Sequence, residues 1–246
     1  MNALTMRYFL SVVLLSTVMS LSVSADVLAQ DREIREVDPF TQIGFAISGT
    51  LYISEGQDHS VEVVGSAEEL EHVETVVENG RLRIRGSQDS GWLSWFWSSS
   101  RRSVSADVYV SIPSLEGVSI AGSGDVIGET PFSADAFSVE IAGSGNTQLE
   151  LDANSVTVRI AGSGTASLSG SSETLKADIA GSGNVRASEM NVATAEVNIA
   201  GSGDCYVYAR ELVKANIMGS GDVIYRGDPQ VDSTVMGSGR VRAADS

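Results

Sequence analysis

The tripeptide Gly-Ser-Gly occurs seven times in the C-terminal half of the chain, at 122–124, 143–145, 162–164, 181–183, 201–203, 219–221 and 237–239. The successive spacings are 21, 19, 19, 20, 18 and 18 residues. A period near twenty points to a solenoid or an array of small units, because a propeller blade needs roughly 40 residues or more. Fourteen of the 25 glycines sit in these triplets, so the glycine excess marks a repeat and not a flexible linker.

The residues around each triplet decide between helix and strand. Two positions before it stand Ile120, Ile141, Ile160, Ile179, Ile199, Ile217 and Val235, all β-branched. Two positions earlier come Val118, Val139, Val158, Ala177, Val197, Ala215 and Ser233, and between the columns lie Ser119, Glu140, Arg159, Asp178, Asn198, Asn216 and Thr234. Period two means strands with one face inward. Alternation resumes after the triplet with Val126, Thr147, Ala166, Val185, Cys205, Val223 and Val241. Each unit therefore reads as a strand, a glycine corner, a second strand and a variable loop. Stacked at about 4.8 Å, such units build an all-β, parallel β-solenoid, right-handed as parallel crossovers are.

Residues 31–117 read as the cap and first coils. Asp31 to Asp38 is a charged lead, and Ile43 to Ile53 carries Ser48-Gly49-Thr50 as a degenerate corner. His59 to Val64 and Val104 to Ile112 alternate like strands. Ser66-Ala67-Glu68-Glu69 is a capping box that opens a short helical turn through Leu70. Val73 to Val77, Asn79-Gly80 and Leu82 to Arg85 read as a hairpin with a two-residue turn. The first 25 residues read as a signal peptide. Arg7 precedes an apolar run from Tyr8 to Val23, and small residues follow, with Ala25 or Ala29 as the cleavage point. No later segment could span a bilayer as a helix, so an exported chain is expected, in the periplasm, on the cell surface or outside the cell.

Chemistry has little to work with. One cysteine excludes a disulfide framework or a cysteine-based zinc site. Two histidines, His59 and His72, leave no histidine-rich metal site. A formal charge of −16 repels nucleic acid. The serine ladder, Ser123 to Ser238, lacks a nucleophile elbow and a placed base, so it reads as corner hydroxyls. The column Asp125, Asn146, Thr165, Asn184, Asp204, Asp222 and Arg240 reads as turn chemistry and not as a calcium site, since only Asp204 and Asp222 are adjacent acids. Glu140, Arg159 and Asp178 read as a cross-strand charge ladder. Cys205 is expected to be buried and quiet. No catalytic, metal or cofactor residue is assigned.

One segment departs from the pattern. Trp92, Leu93, Trp95, Phe96 and Trp97 hold every tryptophan of the protein, with Arg101 and Arg102 after them. Two readings are open: a plug against the end or flank of the solenoid, or an exposed aromatic patch that binds sugar, protein or membrane interface.

The order of these elements resembles the putative auto-transporter adhesin head GIN domain family. The resemblance rests on the signal peptide, the paired strands before a Leu-containing turn, the Asn79-Gly80 hairpin, Ile112-Pro113-Ser114-Leu115, and above all Val118-Ser119-Ile120-Ala121-Gly122-Ser123-Gly124-Asp125-Val126. It covers residues 39–242 as one domain, with 39–117 as cap and first coils and 118–242 as repeats. It implies a bacterial envelope protein with an adhesin-like role and no ligand residues of its own to carry over. The sequence itself offers Trp92, Trp95, Phe96, Trp97, Arg101 and Arg102 as the loop that would bind a glycan or an envelope protein, with oligomers allowed. No translocator barrel accompanies it. A polysaccharide-acting enzyme on the same scaffold and a purely structural envelope protein are the alternatives.

Overall fold

The computed structural model describes residues 31–87 and 104–244. Residues 42–46 form β2, after a first strand β1 at Asp31–Arg35, and Thr50–Glu55 form β3. Ser60–Gly65 is β4, Ala67–His72 the short helix α1, Val73–Glu78 β5 and Arg81–Gly86 β6. Asp107–Ile112 is β7, Gly117–Gly122 β8 and Asp125–Gly128 β9. The repeats then continue as β10 (Phe132–Gly143), β11 (Asn146–Gly162), β12 (Thr165–Gly181), β13 (Asn184–Gly201) and β14 (Cys205–Gly219). Asp222–Arg226, Gln230–Gly237 and Arg240–Ala243 are β15, β16 and β17.

From β8 to β17 every pairing is parallel and in step with the triplets. Ile120 faces Ile141, Ile141 faces Ile160, and so on through Ile199, Ile217 and Val235. The Ile column points inward and is sealed up to the last coil: Ile120, Ile141, Ile160, Ile179, Ile199 and Ile217 are all at most 2% exposed, whereas Val235 is 39% exposed. This is the parallel β-solenoid the alternation predicts, with seven Gly-Ser-Gly coils. The expected variable loop after each second strand is absent from the central coils. There β11, β12 and β13 run 17, 17 and 18 residues without a break. At the second bend Ala153, Ser172 and Val192 stack in register, so the backbone turns while keeping its ladder bonds.

The corner depends on two glycines doing different jobs. The first of each triplet has φ between +114° and +143°, which L side chains rarely adopt. The second faces the core: a Cβ on Gly164 would collide with the carbonyl oxygen of Gly145 and with Cγ2 of Ile141. Between them the serine amide reaches back one coil, as in Ser163 N–H to Gly143 O at 2.9 Å.

Two further rungs extend the stack below β8/β9. β2 and β3 pair in parallel with β8 and β9, and Gly49, at φ +109°, makes their corner, so Ser48-Gly49-Thr50 is a true degenerate copy. β6 and β7 stack beneath β2 and β3 in the same sense. The chain thus lays the second rung before the outermost one. It moves outward through β4, α1 and β5, whose capping box and Asn79-Gly80 turn form as the sequence predicts.

Antiparallel strands then cover the outer edge: β5 on β6, β4 on β7, and β1 on β4. The lead at Asp31–Asp38 is therefore partly a strand. Its residues are mostly exposed, Ile34 at 78%, so no buried face betrays it in the sequence. It is held by the ladder to β4 and by an Arg32–Glu62 ion pair at 2.8 Å. The last coil has no such cover among the described residues: β16 is exposed throughout its length.

The inward and outward assignment makes a direct prediction. Ile179→Asp places an unpaired charge in the middle of the sealed column and should unfold the protein, at a cost of several kcal/mol. Asn198 lies in the outer column but donates to Asp178 at 2.8 Å and accepts from Asn216 at 3.0 Å, so Asn198→Ser should cost about 1 kcal/mol. Thermal unfolding of both variants checks this; equal melting temperatures would contradict it.

Candidate functional site

Many of the polar and charged side chains of the repeats are engaged in holding coils together. In the outer column, Arg159 meets Glu140 at 3.4 Å and Asp178 at 4.0 Å. Asp178, Asn198 and Asn216 carry the contact onward through amide hydrogen bonds. The charge ladder read from the sequence is thus present and continues over five coils. A parallel ladder beside it joins Lys176 to Glu196 at 3.2 Å. That bond, then Asn198, holds the Glu196 carboxyl below the usual carboxylate range.

The Asp and Asn column after each triplet does more than favour its own turn. Asp125 accepts from the backbone N–H and the side-chain amide of Asn146, at 3.0 and 2.9 Å. Asn184 takes the N–H of Asp204 at 3.1 Å, Asp204 that of Asp222 at 2.8 Å, and Asp222 that of Arg240 at 2.9 Å. Asp107 serves Thr50 in the same way at 3.0 Å. Each carboxylate or amide oxygen captures a donor of the next coil at the corner, where the regular ladder is interrupted. Among the described residues, no group of three or more His, Cys, Asp or Glu side chains is placed to hold a metal ion.

The serines of the triplets are exposed at the corner tips, and both histidines lie in the N-terminal segment. His59 makes its contact there, with the Phe40 carbonyl at 2.8 Å. Beside the serine tips, Ala121, Ala142, Ala161, Ala180 and Ala200 floor an open trench of about 850 Å³, which Met218 and Met236 extend, 56% and 59% exposed. Alternation places these residues outward, but a stripe of small side chains selects no particular ligand.

The binding residues proposed from sequence, Trp92, Trp95, Phe96, Trp97, Arg101 and Arg102, lie outside the described residues, as does the signal peptide expected over residues 1–25. The two ends of the aromatic segment are placed. Ser87 donates its N–H to His72 O at 2.6 Å, and Val104 O accepts from Ser48 N–H at 2.9 Å. Ser105 bridges Ser48 in parallel. The described residues on either side of the segment therefore stand on the outermost rung, after β6 and before β7, where the other rungs carry their glycine corner. In sequence it is an insertion between β6 and β7.

These features coincide with a known family. The chain belongs to the putative auto-transporter adhesin, head GIN domain family, whose model matches residues 39–229. Three crystal structures share the fold. A putative adhesin from Bacteroides fragilis has a TM-score of 0.79 at 21% identity, over 88% of this chain and 97% of that one. A putative lipid binding protein from Parabacteroides distasonis has a TM-score of 0.71 at 23% identity, with the same coverage of 88% and 97%. A putative adhesin from Parabacteroides distasonis has a TM-score of 0.66 at 19% identity, again over 88% and 97%. Among curated proteins, none matches the sequence significantly. No helix among the described residues is long and apolar enough to cross a membrane.

Cys205 sits in the inward column at 0% exposure, as alternation predicts. Burial, and then the neighbouring Asp204, push its thiol from the ordinary 9.0 up to about 12. The folded state therefore keeps a proton that the unfolded chain loses above about pH 9. Stability contributed by the neutral thiol is complete below pH 9 and falls as pH rises towards 12. Cys205→Ala should flatten the alkaline limb of the stability curve, and native protein should resist thiol reagents until it unfolds. Denaturant titrations between pH 8 and 11 with timed labelling check both; rapid labelling of native protein would contradict the placement.

Proposed function

We propose that the mature chain is a non-enzymatic, exported envelope or cell-surface protein that works by adhesin-like binding of a glycan or protein partner. Trp92, Trp95, Phe96, Trp97, Arg101 and Arg102 make the contact. The observation that carries this reading is the position of the insertion. The described residues that flank it, Ser87 and Val104, stand on the outermost rung, whose exposed edges are already taken by β4 and β5. Leu82, Ile84 and Val108 of that rung are at 0% exposure. That end is already covered by β1, β4, α1 and β5, which supports a partner contact for the aromatic cluster over a plug. Aromatic anchors give large contact area at small entropic cost. Arg101 and Arg102 add a local positive site to a chain of net charge −16, which suits an anionic envelope component.

The polysaccharide-enzyme alternative has less support. Its best acids, Glu140 and Asp178, are bound to Arg159 and Asn198 in a ladder that joins coils. Family membership and the adhesin names of structural neighbours agree with a binding role. The lipid-binding name of one neighbour is compatible with it, since an acylated envelope component is also a partner of this kind.

Replacing Trp92, Trp95 and Trp97 together with serine tests the proposal. Binding to a panel of immobilised bacterial envelope glycans and proteins should weaken about tenfold or more, while the melting temperature stays within a few degrees. A large fall in melting temperature would assign the aromatics to the core instead, and unchanged binding would remove them from the contact.

A further inference from the structure

The outward column that follows the corner differs from the others. Its rungs Gln148, Ser167, Arg186 and Tyr206 stand directly beside one another on four consecutive coils. At about 4.8 Å per rung they cover roughly 14 Å of the sheet. The strand that carries Arg186 bulges immediately afterwards. Ser167 pairs with Arg186 but Ser169 with Glu189, so β13 holds an extra residue against β12. Against β14 the register jumps from Ala187–Val207 to Asn191–Tyr208, so residues 188–190 have no counterpart. Met190 turns into the core at 0% exposure, which leaves Ser188 and Glu189 raised on the outer face.

The bulge makes a wall, the column makes one side, and buried Leu149 and Leu168 lie beneath. The resulting depression is about 480 Å³. Bulges of this kind re-aim side chains and recur next to functional sites.

The polar groups here are left open. In the outward column before the corner, acid, arginine and amide side chains are joined coil to coil, from Glu140–Arg159 to Asp178–Asn198 and Asn216. Among the described residues, Gln148, Ser167, Arg186, Ser188, Glu189 and Tyr206 make no side-chain hydrogen bond or ion pair with one another or with any other described residue. Arg186 and Glu189 carry opposite charges in one depression without closing on each other. Their charges sum to zero, so the pocket gives no net attraction to a simple anion or cation, and the net charge of −16 further disfavours an anion. Arg186 supplies donors only, Glu189 acceptors only, and Gln148 and the serines both. Tyr206 adds a ring edge or face. Dense, mixed donors and acceptors beside one ring match vicinal hydroxyls, each of which gives and takes a hydrogen bond.

We infer that the depression at the β13 bulge, formed by Gln148, Ser167, Arg186, Ser188, Glu189 and Tyr206, is a binding site for a neutral saccharide of one or two sugar units. The inference rests on the reading of the chain as an envelope binding protein. It places a second contact on the flank, several coils from β6 and β7.

The experiment uses the full mature chain on an array of neutral mono- and disaccharides, followed by calorimetric titration with the retained sugar. Glu189→Gln and Arg186→Ala should each weaken that affinity roughly ten- to hundredfold, the cost of a hydrogen bond to a charged group. Melting temperatures should not change, because neither side chain joins coils. The variant with all three tryptophans changed to serine should keep the neutral sugar. Retention of no neutral saccharide, preference for anionic sugars or for a zwitterionic amino acid, or affinity indifferent to Glu189→Gln and Arg186→Ala would each overturn the site. If the tryptophan variant alone loses the sugar, the bulge site falls while the aromatic-contact reading stands.

Discussion

Everything in this molecule depends on how closely one backbone corner can lie on the next. At each triplet the carbonyl oxygen of one coil occupies the space where a Cβ of the following coil would stand. Glycine is the residue that leaves that space empty. With the corners in contact, the strands on either side are brought to ladder distance, and identical positions stack. Stacking then makes like residues neighbours: isoleucine on isoleucine inside, and acid, arginine or amide outside. The core columns and the surface ladders are therefore two consequences of one steric condition.

That condition also decides what the side chains are free to do. A repeat places the same residue type every coil, and unlike charges must alternate along the stack for the column to be favourable. Glu140–Arg159–Asp178 meets this requirement, and where charge fails, amides carry the contact on. The Asp and Asn oxygens after each corner collect donors that the bend withdraws from the ladder. Such groups are committed to architecture. The polar cluster left open on the flank lies where the repeat is broken, at the bulge of β13. Function in a solenoid of this kind is expected at its irregularities, which supply shape and unpaired polarity that a regular ladder consumes.

Much of this was legible in the residues. Alternation through Val118, Ile120 and Val126 and their copies announced strands, a single inward face and the stacking period. The capping box at Ser66 and the turn at Asn79-Gly80 announced the elements of the cap. Other features left weaker marks. β1 buries almost nothing, so Asp31–Arg35 looked like a charged lead. The absence of loops could not be read, because small residues such as Ala153 and Ser172 suit a bend and a loop alike. The bulge has a faint signal in the spacing of 20 residues between the triplets at 181 and 201, against 18 for the next coil. That arithmetic shows extra residues but not that they lift Glu189 outward beside Arg186. The path by which β6 and β7 come to lie outside β2 and β3 has no local signature, since it depends on pairings between residues far apart in the chain.

The steric claim at the corner is open to one direct measurement, the unfolding free energy of Gly164→Ala compared with Gly80→Ala. Gly80 is in the left-handed region at φ +72°, with nothing within 4 Å of an added Cβ, so alanine there should cost about 1–2 kcal/mol. Gly164 is not in that region, and its whole penalty comes from the collision with Gly145 O and Ile141 Cγ2. If close stacking of corners holds the solenoid, Gly164→Ala should cost about 3 kcal/mol or more and broaden or abolish the cooperative transition. A Gly164→Ala protein as stable as the parent, or less affected than Gly80→Ala, would contradict the account.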